Sequence, residues 1–271
     1  MPTTRHNLSP IGQRPVRAIE TARRPLVGFS CDYRHGYFAD MHRHPRAQLI
    51  YALSGVMRIQ TPAASFVVPP SMALWLPANE MHAIRMEGMV AMRALFLRGD
   101  AAKRARSGTA VIAVSPLLRE VTLAACTEPL HWKRGGRGEW LTELALDEIA
   151  RATALPLGLP MPRDTRLRRA TMALLSNLGN RQNLEDLAGL AGASSRTLAR
   201  LFLSETGLSF RQWRHQARMA EAMSALSAGA TPMQATALTG FTGQAAFGAA
   251  FRASFGITPG QARSLTKSAG V

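Results

Sequence analysis

Between residues 48 and 97 the chain alternates short apolar runs with turn chemistry. The runs QLIYAL, VMRIQT, SFVV, ALWL, HAIRM and VAMRALFL are rich in β-branched, aromatic and aliphatic residues. Ser54-Gly55, Pro62-Ala63-Ala64, Pro69-Pro70-Ser71, Pro77-Ala78-Asn79 and Glu87-Gly88 punctuate them. Strands at such spacing predict a sandwich or barrel. The period then changes. Two helical patterns follow, near Pro116–Cys126 and Glu139–Ala152, the second with Leu141, Leu144, Ala145, Ile149 and Ala152 towards one side. The stretch ALPLGLPMPRD, 154–164, holds three prolines and a glycine and is expected to break any regular element. After residue 161 the pattern is helical throughout.

The helical part contains a repeat. LAGLAGASSRTLARLFLSETG ends at Gly207 and ATALTGFTGQAAFGAAFRASFG ends at Gly256. Gly192 answers to Gly240, Leu198 to Phe247, Phe202 to Phe251 and Gly207 to Gly256. The offset is 48 at the first glycines (192 to 240) and 49 from Leu198 onward (198 to 247), so one residue is inserted in the turn. Each copy reads as a short helix, a glycine turn, a second helix and a closing glycine. In the first copy Asn183 is a suitable N-cap for a helix whose stripe is Leu184, Leu187, Ala188 and Ala191, and Ser194 for the next. In that second helix Leu198, Leu201 and Phe202 share a face, which leaves Ser195, Arg196, Ala199 and Arg200 outward near its N-terminal half. A helix that reads base edges needs this division, and a guanidinium fork suits guanine O6 and N7. Exposed arginines on one helix are also the ordinary condition of a solvated face. The duplication favours reading. The intervening segment, Phe210–Ala228, is about 19 residues and would span roughly 28 Å, near the 34 Å between successive major-groove faces.

The run NLEDLAGLAGASSRTLARLFLSETGLSFRQWRHQARMAEAM, followed by GFTGQAAFGAAFRASFGITPGQAR, resembles the DNA-binding domain of AraC/XylS-type transcription regulators. That resemblance implies a seven-helix domain reading two consecutive major grooves. By position, Ser195, Arg196, Ala199 and Arg200 would read in the first unit, and Gln244, Ala245, Gly248 and Ala249 in the second. The second set departs from the family pattern, because Gly248 and the alanines carry no side-chain donors. The first helix is therefore expected to carry most base specificity, and the second to position the domain through phosphate and methyl contacts.

Composition agrees with a polyanionic partner. The 271 residues carry 33 Lys+Arg against 17 Asp+Glu, a formal net charge of +16. The excess is spread over both halves, slightly denser in the tail. Hydrophobic residues make up 46%, enough for a sizeable core. No apolar run approaches the roughly 20 residues of a membrane helix, and the N-terminus lacks an apolar stretch like that of a signal peptide. Cys31 and Cys126 make no disulfide framework, which fits a reducing cytoplasm.

The second informative stretch is GYFADMHRHPRAQLIYALSG, 36–55. If it runs extended, His42, His44 and Gln48 share parity and one side, and His82 follows a turn. Three imidazoles and a carboxamide would suit a divalent transition ion such as Zn, Ni, Cu, Fe or Mn. The same groups would also suit an organic ligand pocket or a set of buried structural histidines. The stretch resembles the first cupin motif, met by Gly36, His42, His44, Gln48 and Gly55 with Gln in the usual Glu place. The second motif is met less fully by Ser71, Pro77, Asn79 and His82. His35 and His131 belong to neither motif and are expected at the surface.

Together these readings predict a two-domain α+β chain. A flexible arm (1–25) precedes a cupin domain, a jelly-roll-like β-barrel (26–155) serving sensing and dimerisation. A linker (156–164) then leads to an all-α domain with two helix-turn-helix units (165–265). The expected function is a non-enzymatic regulator that binds promoter DNA as a homodimer and responds to a small molecule or metal. RNA polymerase is a further expected partner. The alternatives are a metal-dependent cupin enzyme with a DNA-binding tail, and a DNA-binding protein whose barrel is only a dimerisation scaffold.

Overall fold

The structure, a computed structural model, describes residues 16–70, 72–155, 157–180 and 182–264. The expectations for residues 1–15, Ser71, Pro156 and residue 265 lie outside the described residues. The described residues divide into two compact units, one of residues 16–61 and 68–155, the other of 62–67 and 157–264.

The first unit opens with helix α1 (Val16–Thr21), which buries Ile19. The C-terminal part of the arm expected to be flexible is thus docked helix, because Ile19 supplies an apolar anchor. Strands follow: β1 (Leu26–Tyr33), β2 (Phe38–His42), β3 (Ala47–Ala52) and β4 (Val56–Gln60). After β5 (Ala64–Val68) come β6 (Met72–Leu76), β7 (His82–Glu87) and β8 (Val90–Leu97). Helix α2 (Gly99–Ala105), strand β9 (Ala110–Ala113), helices α3 (Pro116–Thr127) and α4 (Arg137–Arg151) and the short β10 (Ala154–Leu155) complete the unit. One antiparallel sheet has the order β1-β8-β3-β6-β9-β10, and β4-β7-β2 run side by side in a second.

The central strands of the first sheet are buried on both faces, which is why they read as apolar runs rather than alternations. Their odd-numbered residues, Leu49, Tyr51, Ala73, Trp75, Leu95 and Leu97, pack in one cluster with Leu118, Val121, Ala125, Leu141, Ala145, Leu146 and Ile149 of the helices. The even-numbered positions, among them Gln48 and Phe96, therefore turn to the opposite face. On α4 Leu146 takes the buried place expected for Leu144, which is exposed. The buried arc is centred on Ala145 and Ile149, and Leu144 lies on its solvent side.

The second unit begins with β11 (Gly158–Pro160), which pairs antiparallel with β5, Leu159 opposite Ser65. The proline-rich stretch is thus not an irregular linker. It ends the first sheet at β10 and opens this pair at β11, because proline is tolerated at strand ends and edges. Leu159 is buried with Leu167, Leu174, Leu187, Leu198, Phe202 and Trp213, and the Trp213 indole N–H donates to the Pro160 carbonyl at 2.7 Å. Residues 62–67, expected in the β domain, group with this unit through the β5–β11 pairing.

Among the described residues seven helices follow: α5 (Thr165–Ser176), α6 (Leu184–Ala191), α7 (Ser195–Thr206), α8 (Phe210–Ser227), α9 (Pro232–Leu238), α10 (Gln244–Phe255) and α11 (Pro259–Ser264). Their starts are written in polar side chains. Asn183 accepts the N–H groups of Glu185 and Asp186, and Asp186 returns the bond in a capping box. Ser209 with Gln212 and Thr231 with Gln234 repeat the device. So do Thr258 and Gln261. Both turns use a left-handed glycine, Gly192 (φ 66) and Gly240 (φ 68). A Cβ on Gly240 would also lie 2.7 Å from the Gly179 carbonyl oxygen, so that position tolerates no other residue without a shift.

Candidate functional site

On α7, Leu198, Leu201 and Phe202 are buried while Arg196, Ala199 and Arg200 are exposed and Ser195 is half-buried. Neither arginine makes a hydrogen bond or ion pair among the described residues, so both forks are presented to solvent. Ser194 caps the helix by accepting from the Thr197 N–H. On α10, Phe247 and Phe251 are buried and Gln244, Ala245 and Ala249 are exposed, with Gly248 half-buried. The N-cap there is Gly243, which offers no side-chain bond. The inserted residue lies in the turn: two residues separate Gly192 from α7, and three separate Gly240 from α10. Between the two units α8 is 18 residues long, about 27 Å at 1.5 Å per residue.

The histidine site is built differently from the parity argument. His42 ends β2 in one sheet, and Gln48 lies in β3 in the other. The chain crosses between sheets over 43–46, and convergence follows from that crossing, not from one extended strand. His42 lies directly opposite His82 in the β2–β7 ladder, after a register shift between Ala39 and His42. Such an irregularity re-aims side chains. Asn79, at φ 65, donates its backbone N–H to the His44 carbonyl at 2.7 Å and so ties the turn before His82 to the crossing. Asparagine tolerates the left-handed region, which explains how it stands where the motif has glycine.

The His42, His44 and His82 side chains each offer a ligand atom within 4.8 Å of the others. The ring centroids of His42 and His82 are 4.3 Å apart. Gln48, His42 and His44 line one cavity with Phe29, Tyr33 and Phe96. Its volume is about 40 Å³, room for an ion and a few waters. Each ring has Nδ1 engaged: His42 with the Asp40 carbonyl at 2.6 Å, His82 with the Glu80 carbonyl at 2.9 Å and His44 with the Glu20 carboxylate at 2.7 Å. An Nδ1–H donated outward leaves the lone pair on Nε2. Burial, and more weakly the charge His42 and His44 would carry, pull the His82 pKa down to about 4, so its ring is neutral at physiological pH. His35 and His131 are exposed, as their lack of a motif suggests.

Two groups were not legible in the motif. Arg46 is 2% exposed. Its guanidinium donates to the carbonyls of Glu20, Ala22, Arg24 and Phe96 and so satisfies the chain just beyond α1. Glu20 lies in the arm, far from the motif in sequence. Arg46 lies in the same short stretch as His42, His44 and Gln48, whereas Glu20 carries no sequence signal.

Both halves match known families. Residues 26–132 match the AraC-like ligand binding domain, and residues 187–264 match a helix-turn-helix domain. The chain is an AraC-type transcription regulator. The HTH-type transcriptional regulator NimR of Escherichia coli (strain K12) is 28% identical to it over 256 residues, 94% of this chain and 92% of that protein. The HTH-type transcriptional regulator RipA of Corynebacterium glutamicum is 36% identical over 100 residues, 37% of this chain and 30% of that one. Among solved structures, unsaturated fatty acid bound ToxT from Vibrio cholerae is similar with a TM-score of 0.38 and 11% identity, over 89% of this chain and 95% of that one. The regulator thus joins a ligand-binding β domain to a DNA-binding helical domain. No described helix is long and apolar enough to cross a membrane.

Proposed function

We propose that this regulator reads promoter DNA chiefly through α7 and that the effector of its β domain is a divalent transition metal ion, sensed rather than used for turnover. The observation behind the metal reading is the donor set. The Gln48 Oε1 and His82 Nε2 atoms are buried and have no hydrogen-bond partner among the described residues. Buried polar atoms are rarely left so unless something binds them. With His42 and His44 they make three imidazole donors and one amide oxygen, a set suited to Zn, Ni, Cu, Fe or Mn. When bound, the ion would cross-link strands of the two sheets. A ligand shifts an equilibrium only by its differential affinity for two states, so the ion must favour one DNA-binding state of the regulator over another.

Trp140 and Leu144, one turn apart on α4, are exposed apolar side chains. We assign this face to a second copy, which would let two protomers address two half-sites. Sedimentation of Trp140→Glu checks this, with loss of a wild-type dimer as the expected outcome. The reading places the protein in the cytoplasm, where promoter and RNA polymerase are met.

The deciding experiment joins metal analysis of the purified protein to genome-wide footprinting with and without chelator. The expected result is about one equivalent of metal per chain and chelator-dependent occupancy. Footprints unchanged by chelator on a metal-free protein would remove the metal and leave the DNA-binding reading standing.

A further inference from the structure

The proposed donor set has a physical difficulty. Imidazoles ligate as neutral rings and the Gln48 amide carries no charge, so a divalent cation among His42, His44, His82 and Gln48 would keep its whole charge in a largely apolar cavity. An anion close by would offset that cost. The three Nδ1 partners differ in this respect. His42 and His82 donate to backbone carbonyls two residues earlier in the chain. His44 instead faces a carboxylate, Glu20 Oε1 at 2.7 Å, contributed by α1 from 24 residues away.

Glu20 is held in place. Ile19 beside it is fully buried, and Val16 on the same helix lines the cavity. Arg46 grips the backbone at Glu20 and Arg24 at 3.3 and 3.1 Å. Its charge also draws on the Glu20 carboxylate, so any offset Glu20 gives an ion is partial.

We propose that Glu20 is the charge-compensating and positioning residue of the metal site, standing one bond further out for the carboxylate that Gln48 lacks. It fixes the His44 ring with its Nε2 inward, makes that nitrogen a stronger donor, and supplies the negative charge without touching the ion. This rests on the metal reading above and adds to it a role for the N-terminal helix, which lies outside the motif that the donors occupy.

The test is a cycle on the full-length protein, titrated with Zn(II) and Ni(II) by calorimetry and with Co(II) by visible absorption. Glu20→Gln keeps an acceptor for the His44 Nδ1–H and removes the charge. It is expected to weaken each metal about 10- to 100-fold, and Gln48→Glu added to it is expected to restore wild-type affinity. Unchanged affinity in Glu20→Gln overturns the proposal. So does a loss that Gln48→Glu leaves uncorrected, which would show a purely structural role. If Glu20→Gln fails to fold without metal, Gln48→Glu alone decides. A gain under about tenfold supports compensation already present, and a gain of about 100-fold or more overturns it. A wild-type protein that takes up none of the three metals overturns the underlying reading instead, so the two failures are distinct.

Discussion

The two helix-turn-helix units share a frame and differ in what they present. In each, a left-handed glycine makes the turn and another ends the second helix, Gly192 and Gly207 against Gly240 and Gly256. In each, two apolar side chains one turn apart hold that helix to the core, Leu198 and Phe202 against Phe247 and Phe251. The outward faces then diverge: two exposed guanidinium groups on α7, one exposed amide and small residues on the N-terminal half of α10. The caps diverge as well, Ser194 with a side-chain bond and Gly243 without one. Packing constrains the inward positions and leaves the outward ones open to differ, so a duplicated fold need not carry duplicated chemistry.

The comparison breaks first at the core. Phe202→Ala and Phe251→Ala are each expected to cost about 3–5 kcal/mol, read by thermal or denaturant unfolding, and the equality of the two is the point. A cost confined to Phe202→Ala would show that the second unit packs loosely. Next come the reading faces. Arg196→Ala or Arg200→Ala should lose about 1–3 kcal/mol of discrimination at one base step, whereas Gln244→Ala should weaken binding evenly across sequences. Binding measured on a panel of single-base operator variants separates the two patterns, and even weakening by Arg200→Ala would reduce it to a phosphate contact. Smaller is the cap. Ser194→Ala should cost about 1 kcal/mol, while Gly243→Ser should add a few tenths of that size to the stability of α10, both visible in unfolding midpoints. Smallest is Gly248→Ala. A Cβ there meets nothing within 4 Å and the backbone is helical. The change should stabilise the domain by about 0.5–1 kcal/mol, and a destabilisation would mean that the glycine serves close approach to a partner.

Much of the helical half was legible because its signals are local. Asn183, Ser194 and the glycines act within four residues of themselves; the boxes at Ser209, Thr231 and Thr258, which the structure adds, share a Ser/Thr-x-x-Gln pattern. The β half was legible where strands are buried on both faces. It was less so at β2, where Phe38, Asp40 and Met41 are exposed and a register shift breaks the alternation. Of the histidine cluster, the residues His42, His44, Gln48 and His82 were legible and the reason for their meeting was not. Their shared parity pointed to one strand, yet they come from two sheets and the crossing between them.

By itself the sequence determined the repeat, the caps at Asn183 and Ser194 and the outward arginines, since each depends on spacing along a short piece of chain. Only the tertiary structure decided that residues 62–67 belong with the helical unit, that the proline-rich stretch forms strand ends, and that the arm docks Glu20 against His44. These are contacts between segments distant in sequence. They are chosen by which buried surfaces and unsatisfied polar groups meet when the chain closes, and no local pattern encodes that meeting.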